Sequence, residues 1–324
     1  MVDAPPPAWL QPADDRTLVV LGADGFIGNW VVRLGLAAGA RVIGLCVKSP
    51  WRLDGLADER LRLDPVPGGR WWEAAQHDEL ARALEGASAL VHLGYAPPDA
   101  GLDATGRREH EHTVNAAAAG RIASRAATAG AALVFASSAD VYGHWHDEPV
   151  DERVQPAPAT PYGEAKLAAE HLVLDTPNAR CLRLATVFGP GELGPRAIPA
   201  FVRALASGRP ATVHGDGSDL RDYVGVIDVA AAIVNATAPD TTAAPVLNVG
   251  SGVGRTTRSI VETVAAALGV EAAARFVASP RAPSRLVVDV GAAGRVLGFA
   301  PGSGFAAAVA REARWMLDER ARWP

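Results

Sequence analysis

Short apolar runs alternate with longer amphipathic stretches over the first 186 residues of the chain. The apolar runs predict buried β-strands at Thr17–Leu21, 41–47, 89–93, 132–136 and Ala179–Leu184. The amphipathic stretches predict helices at 26–38, Asp78–Leu84, 111–128 and Pro161–Leu174. Strands that are apolar throughout and alternate with helices are typical of a parallel sheet covered on both faces. The pattern therefore predicts an α/β fold with a Rossmann-type, doubly wound parallel sheet.

The rhythm of the sequence changes after residue 186, where Pro and Gly become frequent and the apolar runs become shorter. Helices are predicted at 198–207 and 258–268, and we assign this region to a smaller C-terminal substrate lobe. The Pro-rich residues 1–15 lack the basic start and apolar run of a signal peptide, and they predict a flexible tail. The expected domains are a dinucleotide-binding domain over 16–186, to which 220–249 returns, and a substrate-binding lobe over 187–219 and 250–324.

Composition and charge narrow the class of protein. The 324 residues are 49% hydrophobic and 21% charged, so the chain can bury a sizeable core. A net charge of -5 argues against a nucleic-acid partner, and no run of about 18 apolar residues predicts a membrane span. Cys46 and Cys181 are far apart and fit no metal-ligand spacing, which predicts reduced thiols in a cytoplasmic protein without a bound metal.

The segment G-A-D-G-F-I-G at 22–28 follows the first predicted strand and opens the first predicted helix. Backbone amides at a helix N-terminus bind phosphate, and glycines let a pyrophosphate approach the backbone closely. A turn of this kind in the first βα unit predicts a dinucleotide cofactor. The predicted cofactor-binding residues of this turn are Gly22, Asp24, Gly25, Phe26, Ile27 and Gly28.

The end of the second predicted strand leaves the choice between NAD and NADP open. An acidic residue usually stands there and holds the adenosine ribose hydroxyls, but R-V-I-G-L-C-V-K places Cys46 at that position. Lys48 would attract the 2′-phosphate of NADP, or it is an ordinary exposed lysine at a strand end. Asp24 in the glycine turn would repel the same phosphate. On balance we expect NAD, with NADP as the alternative.

Tyr162 and Lys166 form the pair of residues that indicates catalytic activity. They lie four residues apart at the start of a predicted helix and therefore share one helical face. The lysine charge can lower the phenol pKa, so that the phenolate takes a proton from a substrate hydroxyl while hydride leaves the same carbon. Ser138 ends a predicted strand, where active sites of open α/β sheets collect, and its hydroxyl can hydrogen-bond the reacting oxygen.

Several segments resemble, in order, the motifs of the NAD-dependent epimerase/dehydratase family of extended short-chain dehydrogenases/reductases. They are G-A-D-G-F-I-G, V-H-L-G, T-V-N, S-S-A-D-V-Y-G, P-Y-G-E-A-K-L-A-A-E, L-R-L-A-T-V-F-G-P, G-D-G-S-D-L-R-D-Y-V-G-V-I-D-V-A and L-G-F-A-P, spread over about residues 17–301. The resemblance implies a two-lobed enzyme, usually a homodimer, that binds NAD and acts on nucleotide-diphosphate sugars.

The resemblance also assigns roles to residues that match the family motifs. It implies that Tyr162 is the acid/base, that Lys166 binds the nicotinamide ribose and that Ser138 polarises the substrate hydroxyl or ketone. Asn115 is implied to support the lysine through water. The residues implied to line the cofactor groove are Leu93, Gly94 and Tyr95. The residues implied to contact the substrate diphosphate are Thr186, Arg221 and Arg281. For the two arginines, an ordinary place on the surface is the alternative.

Departures from the family motifs bear on the reaction. Family dehydratases carry adjacent Asp and Glu after the catalytic Ser or Thr, whereas this chain has Ala139 and Asp140, which argues against 4,6-dehydration. We therefore expect a nucleotide-sugar epimerase that acts at C4 through a transient keto sugar. An NADPH-dependent 4-ketoreductase of a nucleotide-linked deoxysugar is the alternative, favoured by Lys48. A non-catalytic dinucleotide-binding protein is a third interpretation, but it would not need both Tyr162 and Lys166.

Overall fold

The computed structural model describes residues 5–238, 244–279, 283–302 and 304–323. The strands in these residues are β1 (Thr17–Leu21), β2 (Arg41–Cys46), β3 (Leu61–Pro65), β4 (Ala89–His92), β5 (Ala132–Ser138), β6 (Ala179–Leu184), β7 (Thr186–Phe188), β8 (Ala211–His214), β9 (Leu220–Gly225), β10 (Val246–Val249), β11 (Gly254–Thr256), β12 (Ala274–Val277) and β13 (Arg285–Leu286). The α-helices are α1 (Phe26–Ala37), α2 (Asp78–Leu84), α3 (Ala104–His110), α4 (Ala117–Thr128), α5 (Pro161–Leu174), α6 (Ala197–Ala206), α7 (Val226–Ala236), α8 (Thr257–Leu268), α9 (Gly291–Leu297) and α10 (Phe305–Asp318). A π-helical turn, Glu111–Ala116, joins α3 to α4.

Seven of these strands form a parallel sheet in the order β10-β6-β5-β4-β1-β2-β3. The chain starts at β1, adds β2 and β3 on one side, and then adds β4, β5, β6 and β10 on the other. The strand order therefore reverses between β1 and β4, and ligands of open α/β sheets bind at the carboxyl ends of strands at such a reversal. The sheet confirms the predicted Rossmann-type α/β fold. The predicted strands and helices lie within one or two residues of the observed ones, except that the helix predicted at 111–128 consists of the π-helical turn and α4, which begins at Ala117.

The position of β1 in the middle of the sheet explains why its sequence is apolar at consecutive positions. Leu18 and Val20 pack in one buried core with residues of α1 and α7, whereas Val19 and Leu21 pack in a second core with residues of α4 and α5. Successive side chains of a strand point to opposite faces of the sheet. A strand that lies between two helical layers therefore has to be apolar on both faces.

The N-terminal segment differs from the flexible tail that the sequence predicts for residues 1–15. In its described part, residues 5–15, Ala13 is fully buried. The Gln11 amide donates a 2.9 Å hydrogen bond to Asn235 Oδ1 in α7. The segment therefore packs on α7. A Pro-rich stretch without a helix or strand period gives no sign of such packing, which depends on a partner more than 200 residues away along the chain.

The C-terminal elements pack around a separate apolar core. Helices α6, α8 and α10 contribute buried side chains to this core, among them Phe201, Ile260 and Met316. Strand β9 pairs with β7, β11 and β13 in a smaller sheet, whereas β10 returns to the seven-stranded sheet beside β6. The sequence assigns all of 220–249 to the first lobe, but the pairing of β9 places that strand with the smaller sheet. We keep the division into two lobes as a proposal.

Among the residues that the structure describes, no helix has both the length and the apolar character needed to cross a lipid bilayer. The same residues contain no group of three or more His, Cys, Asp or Glu side chains that could hold a metal ion.

Candidate active site

A cavity of about 1080 Å³ lies at the carboxyl ends of the central strands. Its walls come from the glycine turn, the ends of β4 to β6, the start of α5, the segment before α6, and β9. The predicted site residues that line it are Gly22, Gly25, Phe26, Ile27, Gly28, Leu93, Tyr95, Ser138, Tyr162, Lys166, Thr186 and Arg221. One cavity therefore collects residues that the sequence spreads over 200 positions.

The other predicted site residues lie elsewhere. Gly94 and Asn115 line a much smaller cavity of about 10 Å³ beside Lys166. An added Cβ on Gly94 would lie only 2.5 Å from the Trp71 ring, so this glycine is required by packing. Arg281 lies outside the described residues.

The glycine turn holds α1 close to β1. Gly22 has φ +89°, and an added Cβ on Gly28 would lie 2.0 Å from the Gly22 carbonyl oxygen. Helix α1 begins at Phe26, and Gly25 before it gives no side-chain cap. The first-turn amides of α1 therefore have no capping side chain at the cavity wall, where an anion can bind them. A cradle that any Cβ would fill fits the pyrophosphate of a dinucleotide.

Asp24 places a carboxylate at the end of β2. Its two oxygens accept 2.8 Å hydrogen bonds from the backbone amides of Val47 and Lys48. The Asp24 carboxylate therefore lies next to the end of β2, where Cys46 stands in place of the usual acidic residue. The Cys46 thiol is buried in the apolar core, where burial and then Asp24 raise its pKa to about 12, and the Lys48 residue is exposed. Neither Cys46, Lys48 nor Asp24 lines the cavity: the Cys46 thiol packs in the core, and the Asp24 carboxylate, in a residue that is 5% exposed, is held by backbone amides at the end of β2.

Tyr162 stands in the first turn of α5. Thr160 caps this helix by accepting a 3.1 Å hydrogen bond from the Gly163 amide. An added Cβ on Gly163 would lie 2.7 Å from the Asp140 carbonyl oxygen, so the glycine lets α5 approach the turn that follows β5. Ser138 ends β5 and accepts a 3.2 Å hydrogen bond from the Asp140 amide. Close packing of helix and turn therefore brings Tyr162 and Ser138 to the same wall.

Lys166 lies one helical turn after Tyr162 and points to the end of β5. Its Nζ donates a 2.7 Å hydrogen bond to the Ala136 carbonyl and lies 4.7 Å from the centre of the Phe135 ring. Burial lowers the pKa of the ammonium group to about 8, and the nearby Glu111 carboxylate opposes this shift. The lysine is therefore held by the backbone and charged mainly below pH 8.

The pKa of Tyr162 differs from the expectation that Lys166 lowers it. Burial raises the phenol pKa to about 12, with Asp140 adding to the effect, whereas Arg196 and Ser138 lower it. The Lys166 Nζ is 5.8 Å from the centre of the phenol ring and donates to Ala136. Because the ammonium group bonds to a carbonyl, it is not among the main groups that stabilise the phenolate in this structure.

Glu111 is a site residue that the sequence analysis missed. It is 3% exposed and lies on the π-helical turn. Its Oε1 accepts a 2.7 Å hydrogen bond from the Tyr95 hydroxyl, and its Oε2 accepts one of 2.8 Å from Asn115 Nδ2. The Tyr95 ring in turn meets the Tyr162 ring edge-on at 5.2 Å. Glu111 therefore connects the lysine environment to an aromatic wall of the cavity.

The side chain of Asn115 is fixed before any ligand arrives. It accepts a 2.9 Å hydrogen bond from the Ala96 amide and donates one of 2.9 Å to the Ala96 carbonyl. The small cavity between Asn115 and Lys166 is about 10 Å³, close to the volume that a single water needs. This geometry is compatible with a water-mediated contact between the two residues. The four-residue spacing of Glu111 and Asn115 fits a contact on one helical face, but it predicts neither the π-helical turn nor a role for Glu111.

Two arginines give the cavity positive charge. Arg221 Nη1 forms a 3.0 Å ion pair with Asp140 Oδ1, and Arg221 Nε donates a 3.0 Å hydrogen bond to Ser284 Oγ. Arg196, immediately before α6, also lines the cavity, and the sequence analysis missed it. Ala139 is 4% exposed and packs in an apolar cluster, so Asp140 has no acidic neighbour there.

Comparisons with known proteins agree on one family. Residues 18–250 match the model described as "NAD dependent epimerase/dehydratase family". The UDP-glucose 4-epimerase of Mycolicibacterium smegmatis is 32% identical, in an alignment that covers 94% of this chain and 99% of that protein.

Solved structures of similar proteins extend the comparison. DesIV, a dTDP-glucose 4,6-dehydratase from Streptomyces venezuelae solved with NAD and TYD bound, is 28% identical with a TM-score of 0.80. That alignment covers 95% of this chain and 98% of DesIV. MoeE5, solved with UDP-glucose and NAD, is 27% identical with a TM-score of 0.79. Here the alignment covers 94% of this chain and 99% of MoeE5.

We predict that Glu111→Gln lowers the pKa of Lys166 below its value of about 8. The carboxylate of Glu111 raises this pKa, so removing its negative charge makes the buried ammonium group lose its proton at lower pH. The chain has two lysines, so ¹³C labelling of lysine gives two NMR signals to follow against pH, with exposed Lys48 as the reference. Glu109→Gln is the matched control, because Glu109 is exposed on α3. Equal midpoints for Lys166 in the two variants would contradict the prediction.

Proposed function

The chain belongs to the NAD-dependent epimerase/dehydratase family of extended short-chain dehydrogenases/reductases, and on that premise we propose that it is an NAD-dependent nucleotide-sugar 4-epimerase. It is similar to a UDP-glucose 4-epimerase over 94% of its length. Two solved relatives at 27% and 28% identity were crystallised with NAD. The proposed substrate is a nucleotide-diphosphate sugar, which is oxidised and reduced at the same carbon.

One observation supports epimerisation over dehydration. Ser138, Tyr162 and Lys166 share a cavity in which Asp140, the acid beside Ser138, is engaged with Arg221. The family dehydratases use adjacent Asp and Glu to expel water, but Ala139 takes the first of these places and is buried. Ser138, Tyr162 and Lys166 could therefore support proton transfer at a carbon that gives its hydride to NAD. One of the two acids needed for elimination of water is absent from its place after Ser138.

Two parts of the cavity wall, together with Asp24 beside the glycine turn, would contact a dinucleotide. The cradle around Gly28 and the start of α1 would hold the pyrophosphate. Asp24 would hold negative charge near the adenosine ribose, which favours NAD over NADP. Lys166 would hold the nicotinamide ribose, beside Tyr95 and Leu93. NAD, when bound, supplies a positively charged nicotinamide ring that can accept a hydride and return it.

The protein's part in the reaction is proton transfer and orientation. Tyr162 accepts the proton of the sugar hydroxyl as the phenolate and returns it as the phenol after the keto sugar has turned over. Ser138 donates a hydrogen bond to the same oxygen in both directions. Because the phenol pKa is about 12 in this structure, the phenolate needs added positive charge, which Arg196 already provides in part. No net proton or hydride is consumed, so the sugar is the one species that changes.

Substrate anchoring falls to the positive side of the cavity. Arg221 and Arg196 would hold the diphosphate, with the Thr186 hydroxyl beside them. Arg221 already binds Asp140, so a diphosphate has to share the guanidinium with this carboxylate. Arg281 stays a prediction from the resemblance.

Incubation with NAD and UDP-glucose tests the function. We expect UDP-galactose to accumulate, measured by ¹H NMR, with no net rise in absorbance at about 340 nm, where reduced nicotinamide absorbs. A 4-ketoreductase would instead oxidise NADPH once for each 4-keto sugar. If neither assay shows turnover, and other nucleotide sugars are not turned over either, the result would support a non-catalytic dinucleotide-binding protein. Lys48 is the residue that favours a reductase, but the adjacent Asp24 carboxylate opposes the charge of an NADP phosphate.

We predict that Tyr162→Phe lowers turnover by about 10²–10⁴-fold, because it removes the general acid/base. The matched control is Tyr142→Phe, since the Tyr142 hydroxyl binds Asn248 at 2.8 Å inside the fold and does not line the cavity. This control should retain turnover and lose stability. Initial rates and thermal midpoints of both variants give the comparison. Turnover near that of the wild type in Tyr162→Phe would remove this residue from the mechanism.

We predict that Asp24→Asn shifts the ratio of NAD to NADP affinity toward NADP by about tenfold, whereas Lys48→Gln changes it by less than about threefold. A partly exposed charge contributes on the order of 1 kcal/mol, which sets this scale. Titration of the apoprotein with both dinucleotides measures the ratio. A larger effect from Lys48→Gln than from Asp24→Asn would assign the ribose contact to the lysine.

We predict a homodimer that forms through α4 and α5. The two helices lie side by side, and Gly120 of α4 packs against Leu172 of α5, which is 42% exposed. Two copies of this Ala-rich face would form a four-helix bundle. Light scattering should give about twice the chain mass of 33.6 kDa, and Leu172→Glu should give monomers. The control Leu317→Glu changes a leucine that is 39% exposed on α10 and should stay dimeric. A monomeric wild type at micromolar concentration would be inconsistent with this assembly.

A further inference from the structure

A second cavity of about 680 Å³ lies behind the smaller sheet. Its walls come from the end of β7, the starts of α7 and α10, the loop before β11 and the N-terminal residues 5–9. Among the described residues, Tyr223 is the one that lines both this cavity and the candidate active site. Sites for small organic ligands usually have volumes of about 300–1,000 Å³, so the cavity is large enough to bind one.

Two arginines at this cavity lack partners for their charge. Arg255 and Arg311 both line it, and neither forms an ion pair with a described residue. The Nε atoms of both side chains are buried without a hydrogen-bond partner. A buried cationic donor without an acceptor costs free energy, whereas Arg183 and Arg221 in the same protein have carboxylate partners. An anion bound in the cavity would supply an acceptor for these two side chains.

The remaining wall is suited to the rest of such a ligand. The Arg255 guanidinium stacks over the Phe305 ring at 3.9 Å, and Phe188 and Trp9 add further apolar surface. Helices α7 and α10 both begin at this cavity without a side-chain cap. Their first-turn amides favour negative charge as well.

Within the described part of the chain, Asp228 is the acidic residue that lines the same cavity. Asp228 Oδ2 accepts a 3.1 Å hydrogen bond from the Gly302 amide. Burial raises the pKa of Asp228, with Arg311 opposing the shift. The single carboxylate is thus engaged by the backbone, and two guanidinium groups exceed its charge.

We propose that this cavity binds a small amphipathic anion, with a phosphate or carboxylate group on Arg255 and Arg311 and an apolar or aromatic body against Phe305. The site is separate from the one proposed for the nucleotide sugar and does not depend on that function. The two head groups share the same chemistry toward guanidinium, so the choice between them is made by experiment.

Isothermal titration of the full-length protein with four probes tests the proposal. Phenyl phosphate and phenylacetate carry the two head groups on an aromatic ring, benzyl alcohol carries the ring without charge, and inorganic phosphate carries the charge without the ring. We expect at least one of the two aromatic anions to bind with a Kd on the order of 0.1–1 mM, as fits a fragment of this size. The tighter of the two identifies the head group. Benzyl alcohol and inorganic phosphate should bind at least tenfold more weakly.

Single substitutions locate the binding. Arg255→Gln and Arg311→Gln should each weaken the preferred probe about tenfold, because each removes a charge-assisted contact. Arg258→Gln is the matched control, since Arg258 also stacks on a phenylalanine, Phe276, but does not line the cavity. Arg221→Gln controls for binding in the candidate active site. Both controls should stay within about twofold of the wild type, and thermal midpoints should show that every variant is folded.

Three results would overturn the proposal. Neither aromatic anion binds, or benzyl alcohol binds as tightly as they do, or the affinity falls in Arg221→Gln while Arg255→Gln and Arg311→Gln keep it. None of these results bears on epimerase activity, because no step of the titration measures turnover. A failure of the proposed reaction would likewise leave the binding measurements intact.

Discussion

The position of the catalytic helix depends on a buried ion pair. Glu170 in α5 binds Arg183 in β6 at 2.7 Å, with side-chain exposures of 1% and 6%. The Ser137 hydroxyl at the end of β5 donates to the same carboxylate. Tyr162, Lys166 and Glu170 follow each other at intervals of four residues and therefore share one face of α5. Because removing one partner would leave a buried charge, this ion pair holds the face that carries the acid/base against the two strands that border the cavity.

The same arginine carries this constraint across the sheet. Its guanidinium lies over the Tyr142 ring at 4.8 Å, and the Tyr142 hydroxyl donates a 2.8 Å hydrogen bond to Asn248 on the edge strand β10. Three neighbouring strands and one helix are thus joined by side chains of which only Ser137 lines the cavity, among the described residues. In the proposed epimerisation, a rigid frame of this kind would keep the spacing of Ser138 and Tyr162 while the sugar turns over, as reduction from the opposite face requires.

The sequence predicts those parts of the protein that depend on local pattern. β1 is apolar at consecutive positions because both faces are covered, and the Tyr-Lys spacing places two side chains on one helical face whatever the tertiary structure is. Glu111 could not be predicted, because its partners are Tyr95 and a π-helical turn, and an isolated glutamate in a charged stretch reads as solvated. The sequence predicts Asp24 as part of the glycine turn, but its hydrogen bonds to the backbone at the end of β2 depend on tertiary packing. For both residues, the contacts that matter are made with parts of the chain that only the tertiary structure brings close.

Asp140 shows how closely substrate anchoring and acid/base chemistry are joined in this cavity. Its carboxylate holds Arg221 at 3.0 Å and also raises the pKa of Tyr162. A diphosphate that binds Arg221 competes with Asp140 for the same guanidinium. The charge of Asp140 would then have one partner fewer, and its effect on the phenol would grow. Loss of this carboxylate would therefore change both properties at once, since it would free the arginine for the proposed substrate and make the phenolate easier to form. Asp140, the acid that this chain retains from the Asp-Glu pair of the dehydratases, thus couples the two halves of the proposed site.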